Sequence, residues 1–172
     1  KKDLIEAPAA ATTRALQDVA GRSELYPDVV FIALHGPDGE DGTVQGFLEV
    51  LGIPYTGSKV LASSLAMDKV RAKTMFAASG IPVAAHLVFN RDDIRSRSCI
   101  RKIEQDLGLP CVVKPVKQGS SFGTSVVTDV GDLPKALRLA SKYDVEIMVE
   151  EFIPGREMTV ACIGTTTVAT LP

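Results

Sequence analysis

The sequence predicts a mixed architecture, an α/β piece of doubly wound type followed by an α+β region, and two observations predict it. Residues 28–34 (DVVFIAL) form a continuous apolar, β-branched run that stops at His35-Gly36 and passes through a glycine-rich loop into a helical pattern. That is the sign of a parallel strand, buried on both faces, feeding a helix. Beyond about Thr56, helical stretches alternate with hairpin-like pairs of short strands, which suits a helix-on-sheet sandwich layer rather than a second doubly wound unit.

The elements follow in order. Residues before Tyr26-Pro27 are rich in Ala and Thr with weak periodicity, and carry at most a short helix over residues 15–20. After the strand at 28–34 and the loop at 35–42, Thr43 can cap a helix whose Val44, Phe47, Leu48 and Leu51 follow the i, i+3, i+4, i+7 pattern, with Gly52 placed to end it. Ile53-Pro54-Tyr55 reads as a short strand. Strand, glycine-rich loop, helix and strand make half of a doubly wound unit, whose ligands sit at the carboxyl ends of the strands.

In the second region, residues 58–66 and 68–79 read as helices, the latter ended by Gly80, and Pro82 leads into a strand over 83–89. A helix over 99–107 stops at Gly108. A strand at 111–114, a loop at 115–123 and a strand at 124–128 follow. Asp132 is placed to N-cap a helix over 133–142 with Leu133, Ala136, Leu137 and Ala140 on one face. Strands are expected at 146–152 and 158–163 around the Ile153-Pro154-Gly155-Arg156 turn.

Composition narrows the function classes. A formal net charge of −2 supplies no Lys/Arg surplus for nucleic-acid phosphates, so no nucleic-acid partner is expected. Charged residues interrupt every long apolar stretch, and no membrane span is expected. Cys99, Cys111 and Cys162 lack close metal-ligand spacing. Cys111 and Cys162 lie in apolar runs that suit buried free thiols in a reducing, cytoplasmic compartment. The chain opens Lys1-Lys2-Asp3 with neither an initiator Met nor a signal pattern, and ends at Thr170-Leu171-Pro172 in a strand-like run. The expectation is an internal piece of a longer protein.

Four segments can carry chemistry. Val112-Val113-Lys114-Pro115, followed by Gln118-Gly119-Ser120-Ser121-Phe122-Gly123, puts an ammonium, hydroxyls and backbone N–H groups around an anion-sized space. A solvated hairpin turn is the plain alternative, and the segment is not a Walker motif because no Gly-Lys-Ser/Thr opens a helix. Val149-Glu150-Glu151-Phe152-Ile153, with Glu157 beyond, sets adjacent carboxylates in an apolar strand. Such groups need partners such as lysine, ribose hydroxyls or an adenine amino group; alternation could equally send one Glu to solvent and the other to a structural ion pair. The loop from His35 to Gly42 joins glycines, a His and a Glu at a strand end before a helix N-terminus, where a ligand or a plain capped loop fits. Met67-Asp68-Lys69 places a lysine in the first turn of a helix, where the dipole disfavours it unless an anion is near.

In this order and at this spacing, the segments ALHGPDGEDGTVQGFLEVLGIPYTGS, LAMDKVRAK, VVKPVKQGSSFGTS and VEEFIPGREMTVA resemble the D-alanine:D-alanine ligases of the ATP-grasp superfamily, from about Asp28 onward. The resemblance implies a partial ATP-grasp fold: a Rossmann-like N-terminal piece over residues 1–57, a central ATP-binding domain over 58–153, and the start of a C-terminal catalytic domain over 154–172, that domain being largely absent. It implies that Lys69 and Lys114 bind phosphate, that Ser121 and its neighbours cover the phosphates, and that Glu150, Glu151 and Ile153 contact adenine. It further implies that Glu157 meets the ribose and that His35, Glu40 and Ser120 surround the first D-alanine. Departures are small: Asp38 sits at a variable position, and Phe122 replaces a smaller aliphatic and stiffens the loop.

The implied reaction joins two D-alanines through an acyl phosphate, with ATP and Mg2+ (or Mn2+), in a cytoplasmic homodimer supplying a peptidoglycan precursor. Its metal ligands are an Asp and a Glu-x-Asn, and since Asn90 is the only Asn, no metal ligand is assigned here. The alternatives are a related ligase, such as one forming D-alanyl-D-lactate, and a non-catalytic nucleotide-binding fragment.

Overall fold

The computed structural model describes residues 27–158. The helix expected at 15–20, the strand expected at 158–163 apart from Met158, and Cys162 lie outside them. Four strands, β1 (His86–Asn90), β2 (Cys111–Pro115), β3 (Ser125–Val127) and β4 (Glu146–Glu151), form an antiparallel sheet in the order β1-β4-β2-β3. Only β2 and β3 are a hairpin. β4 enters between β1 and β2, so the Glu150 segment lies beside the Lys114 strand although far from it in sequence.

Strand alternation divides the sheet into two working faces. One face carries Phe89, Cys111, Val113, Val127, Ile147 and Val149. It packs on α4 (Arg97–Asp106) through Cys99 and Ile103, and on α5 (Leu133–Ala140) through Leu133, Ala136, Leu137 and Ala140. Ser96 caps α4 by accepting the Ser98 N–H at 3.0 Å, and left-handed Gly108 closes its other end with an N–H to Ile103 O at 3.0 Å. The opposite face, with Lys114 and Glu150, turns to α3 (Lys69–Ala78), which follows α2 (Val60–Met67) across a single residue, Asp68. Asp68 is the N-cap of α3 and accepts the Arg71 N–H at 3.1 Å.

Ahead of α2 lies the α/β piece. α1 (Thr43–Leu51) buries Val44 and Leu48 with Ile53, and Val30, Ile32, Phe47, Leu51 and Tyr55 pack around them. Val30 N–H donates to Pro54 O at 2.8 Å and Thr56 N–H to Val30 O at 3.0 Å, which makes a parallel bridge between Val30 and Tyr55. The order of the segments is as expected, but neither residues 28–34 nor residues 53–55 form a strand, since Val30 and Tyr55 make an isolated parallel bridge, and two-faced burial of residues 28–34 is not found either. Val29, Phe31 and Leu34 are exposed, Phe31 to 78%, while Val30 and Ile32 pack toward the α1 cluster.

Three further expectations are corrected. The cap of α1 is not Thr43 but left-handed Gly42 (φ 96), with Asp41 Oδ1 accepting the Thr43 N–H at 2.9 Å. A Cβ on Gly42 would come within 2.8 Å of Val60 O, so α2 packs where only glycine leaves room. Asp132 makes no side-chain cap to α5, because its own backbone is already in the right-handed helical region; Asp129 instead caps the preceding turn, accepting the Gly131 N–H at 2.7 Å. β1 begins at His86 rather than at Val83, since the Ala85 N–H is taken by the Glu151 carboxylate at 3.0 Å.

Leu137 is fully buried between α5 and the sheet. Leu137→Ala is expected to cost about 2–5 kcal/mol of unfolding free energy in urea titration, whereas Arg138→Ala on the exposed side of the same helix is expected to change it by less than about 0.5 kcal/mol.

Candidate active site

Two clefts meet in the molecule. One, of about 520 Å3, lies on the open face of the sheet and is lined by Lys69, Val112, Lys114, the loop from Gln118 to Ser121, Thr124, Val126, Glu150, Glu151, Phe152, Ile153 and Glu157. The other, of about 570 Å3, lies between the α/β piece and α2, with His35, Glu40, Thr56, Ser58, Lys69 and Gly119 among its walls. Lys69, Gln118 and Gly119 line both. Every candidate residue from the sequence therefore falls on one cleft or the other: Lys69, Lys114, Ser120, Ser121, Glu150, Glu151, Ile153 and Glu157 on the first, His35 and Glu40 on the second. Ser120 lies on the first cleft, next to the junction.

The first cleft is built around one buried carboxylate. Lys114 Nζ donates to Glu150 Oε1, and Lys73 Nζ lies 2.6 Å from Oε2. Burial by itself would raise the Glu150 pKa, but hydrogen bonds from Lys114 and Lys73, reinforced by their charge, outweigh it and hold the carboxyl below its ordinary value. Its neighbour Glu151 is half-buried and accepts the Ala85 N–H. Thus one Glu enters an ion pair, as the plain reading of the sequence had it, but that pair stands in the wall of a cleft rather than in the core.

Lys69 opens α3 and reaches across to the loop after β2. Its Nζ donates to Val116 O at 3.2 Å and to Gln118 O, while its N–H donates to Val116 O at 3.3 Å. Burial lowers its pKa, the positive charge of Lys114 lowers it further, and Asp144, Glu150 and Asp68 oppose both. Two half-buried ammonium groups facing one space favour an anion there.

The loop is closed by turns in which the Phe122 N–H donates to Gly119 O at 3.2 Å and the Thr124 N–H to Ser121 O at 3.1 Å. Ser120 and Ser121 are exposed and both left-handed (φ 47 and 58), a sparsely populated conformation for non-glycine residues that recurs at ligand clamps. Phe122 meets Tyr143 with ring centroids 6.1 Å apart, and Gln118 Nε2 donates to Tyr143 O at 3.2 Å. Gly119 touches the α/β piece: a Cβ there would lie 3.3 Å from Glu40 Oε2 and 3.4 Å from Gly36 Cα. Glu40 Oε2 also accepts the Gly36 N–H at 2.6 Å, so the 35–42 loop is held closed beside the junction.

Sequence reasoning missed two residues. Lys73 lies within the motif around Lys69, one helical turn on, and that i, i+4 spacing was the available signal. Gln45 is buried on α1 at the wall of the second cleft. Its Nε2 donates to Gly39 O at 2.8 Å, and its Oε1 has no hydrogen-bond partner among the described residues. A polar residue on the inward face of an amphipathic helix left little trace in the apolar pattern.

A lysine-lined cleft on the open face of an antiparallel sheet, joined end to end with a cleft on a parallel βα piece, defines an ATP-grasp architecture. The comparisons agree. The profile of the D-ala D-ala ligase C-terminus matches residues 75–172 and that of the N-terminus residues 2–58. The chain belongs to the D-ala D-ala ligase family. It is 47% identical over 157 residues to a D-alanine–D-alanine ligase of Bacillus velezensis, covering 90% of this chain and 44% of that protein. With that of Azoarcus sp. it is 52% identical over 132 residues, 77% of this chain and 42% of the relative. Among solved structures, the VanG D-Ala:D-Ser ligase from Enterococcus faecalis superposes with a TM-score of 0.67 at 43% identity, over 74% of this chain and 37% of its own. The D-alanine–D-alanine ligase from Helicobacter pylori gives 0.65 at 31% identity over the same shares. The chain thus spans about two fifths of the length of the relatives it matches.

The buried carboxylate makes stability depend on acid. With its folded pKa below the ordinary value of 4.5, Glu150 contributes stability that is fully present above that value and is lost as the pH falls through the lower, folded one. Glu150→Gln is expected to be less stable than the unsubstituted protein at pH 7, with the gap closing as unfolding is repeated from pH 4.5 downward. A gap independent of pH would contradict this origin.

Proposed function

We propose that this protein, in its full-length form, joins two molecules of D-alanine at the expense of ATP. The observation that carries the reading is the junction of the two clefts at Lys69 and Gly119. A nucleotide lying along the sheet with its phosphates toward the Gly/Ser loop would present its terminal phosphoryl group to a carboxylate held in the second cleft. A carboxylate oxygen of the first D-alanine attacks the terminal phosphorus, and the bond to the bridging oxygen breaks to release ADP. The amino group of the second D-alanine then attacks the acyl carbon, loses a proton, and inorganic phosphate leaves with the carbon–oxygen bond electrons.

In this reading Lys69 and Lys114 balance phosphate charge, and Ser121 and its loop cover the phosphates. Glu150, Glu151 and Ile153 receive adenine and Glu157 the ribose. His35, Glu40 and Ser120 orient the first D-alanine. Phosphoryl transfer asks the protein mainly for positioning and neutralisation, which a pair of half-buried lysines suits. The described residues bring together no group of three or more His, Cys, Asp or Glu able to hold a metal, so no step is assigned to magnesium through them.

Division into residues 1–57, 58–153 and 154–172 belongs to the same reading, as do a homodimeric state, a cytoplasmic location and a role in making peptidoglycan precursor. No described helix is long and apolar enough to cross a membrane. The D-Ala:D-Ser ligase among the structural neighbours makes the second substrate the point to test.

The decisive assay incubates the full-length protein with ATP, magnesium and D-alanine. ADP and D-alanyl-D-alanine are expected in equal amounts. Nucleotide binding without D-alanine-dependent ADP release would mark a non-catalytic binder, and turnover only when D-serine or D-lactate joins D-alanine would mark a related ligase. Lys114→Ala is expected to weaken ATP binding roughly tenfold to a hundredfold, the worth of a hydrogen bond to a charged group, as read by calorimetric titration. His35→Ala and Glu40→Ala are expected to raise the KM for D-alanine or lower kcat with ATP affinity nearly intact; loss of ATP binding with normal D-alanine kinetics would reverse the assignment.

A further inference from the structure

Glu150 holds two ammonium groups that reach it from different sides. Lys114 comes from β2, donates to Oε1 and lines the nucleotide cleft. Lys73 comes from α3, lies 2.6 Å from Oε2, and is fixed by a second hydrogen bond to Ala84 O at 2.8 Å. It lines neither of the two clefts, and its side chain is 14% exposed. Helix α3 therefore sets Lys69 at the phosphate end of the cleft and, one turn later, Lys73 behind the carboxylate.

Lys114 faces two demands, Glu150 in this structure and phosphate once a nucleotide is bound. When it turns to phosphate, Glu150 loses one of two partners in a buried place. A buried carboxylate without a counter-charge takes up a proton or turns away, and a protonated one no longer accepts hydrogen bonds at both oxygens. We infer that Lys73 is a positioning residue that keeps Glu150 ionised and aimed into the cleft while Lys114 moves to the phosphates, so that one carboxylate links base selection to phosphate binding. The inference rests on the reading of this cleft as the ATP site.

Other titratable groups near Glu150 are engaged elsewhere. Lys69 of α3 donates to Val116 O and Gln118 O. His86, directly opposite on β1, lies with Nδ1 3.4 Å from Ala84 O. The ion pairs of Glu150 among the described residues are those with Lys73 and Lys114.

The test uses the full-length protein with Lys73→Met, Lys73→Arg, Glu150→Gln and the Lys73→Met/Glu150→Gln double variant. Lys73→Met is expected to raise the KM for ATP at least about tenfold, to leave the KM for D-alanine within about twofold, and to erode the preference for ATP over inosine triphosphate, which lacks the amino group. Lys73→Arg is expected to restore most of the loss. In the Glu150→Gln background Lys73→Met should add little, since both act through one carboxylate. Independent, multiplying effects, or equal shifts in both KM values, would overturn the inference. Should Lys73→Met fail to fold, carboxyl NMR of the unsubstituted protein decides: Glu150 is expected to stay ionised at pH values where exposed glutamates titrate, with and without a non-hydrolysable ATP analogue. Titration at the ordinary glutamate pH once that analogue is bound would overturn it. Failure of the unsubstituted protein to bind ATP removes the reading of the cleft, and this inference with it, whereas normal ATP binding with the Lys73 effects absent removes the inference alone.

Discussion

A carboxylate stays charged inside a protein only where opposite charge or hydrogen-bond donors compensate its lost hydration, and Glu150, with a side chain only 12% exposed, meets that requirement through Lys73 and Lys114. Those two lysines come from elements that do not touch in sequence, α3 and β2, while the carboxylate comes from β4. The pairings tie one helix and two strands into a single arrangement. Lys114, which lines the cleft on the open face of the sheet, holds its position because this arrangement exists. Removing either lysine would leave the buried carboxylate with one counter-charge instead of two, so the geometry of the cleft and the stability of the sheet face depend on the same few atoms.

The sheet makes room for such chemistry by keeping it off the core. Alternation places Val113, Ile147 and Val149 against α4 and α5, and sends Lys114 and Glu150 to the other side of the same strands. Inserting β4 between β1 and β2 sets Glu150 opposite both His86 and Val112. A hairpin order would have kept the Lys114 strand and the Glu150 strand apart.

Close contact between the two parts of the molecule depends on small residues. Gly42 lets α2 approach α1, and Gly119 lets the Gly/Ser loop lie against Gly36 and Glu40. Each is a place where a single added carbon would press on a neighbour, and Gly119 is also where the two clefts join. Phe122 lies against Tyr143 on one side of the loop, and Ser120 and Ser121 occupy its exposed turn.

Local pattern was enough to identify most helices, the lysine and Gly/Ser segment, the paired glutamates and the His35 loop, because period, caps and glycines act over a few residues. The sequence also carried the motif order that marks the family. It could not say that residues 28–34 make a single bridge and stay largely exposed, since pairing and burial depend on what packs opposite. Nor could it move the start of β1 to His86, which follows from a hydrogen bond between Ala85 and Glu151, 66 residues apart. Lys73 went unnoticed for the same reason: an ordinary lysine on a polar helix becomes significant only when folding brings Glu150 to its ammonium group. Electrostatic partnership is a property of distance in space, and in this chain the tertiary structure alone set those distances.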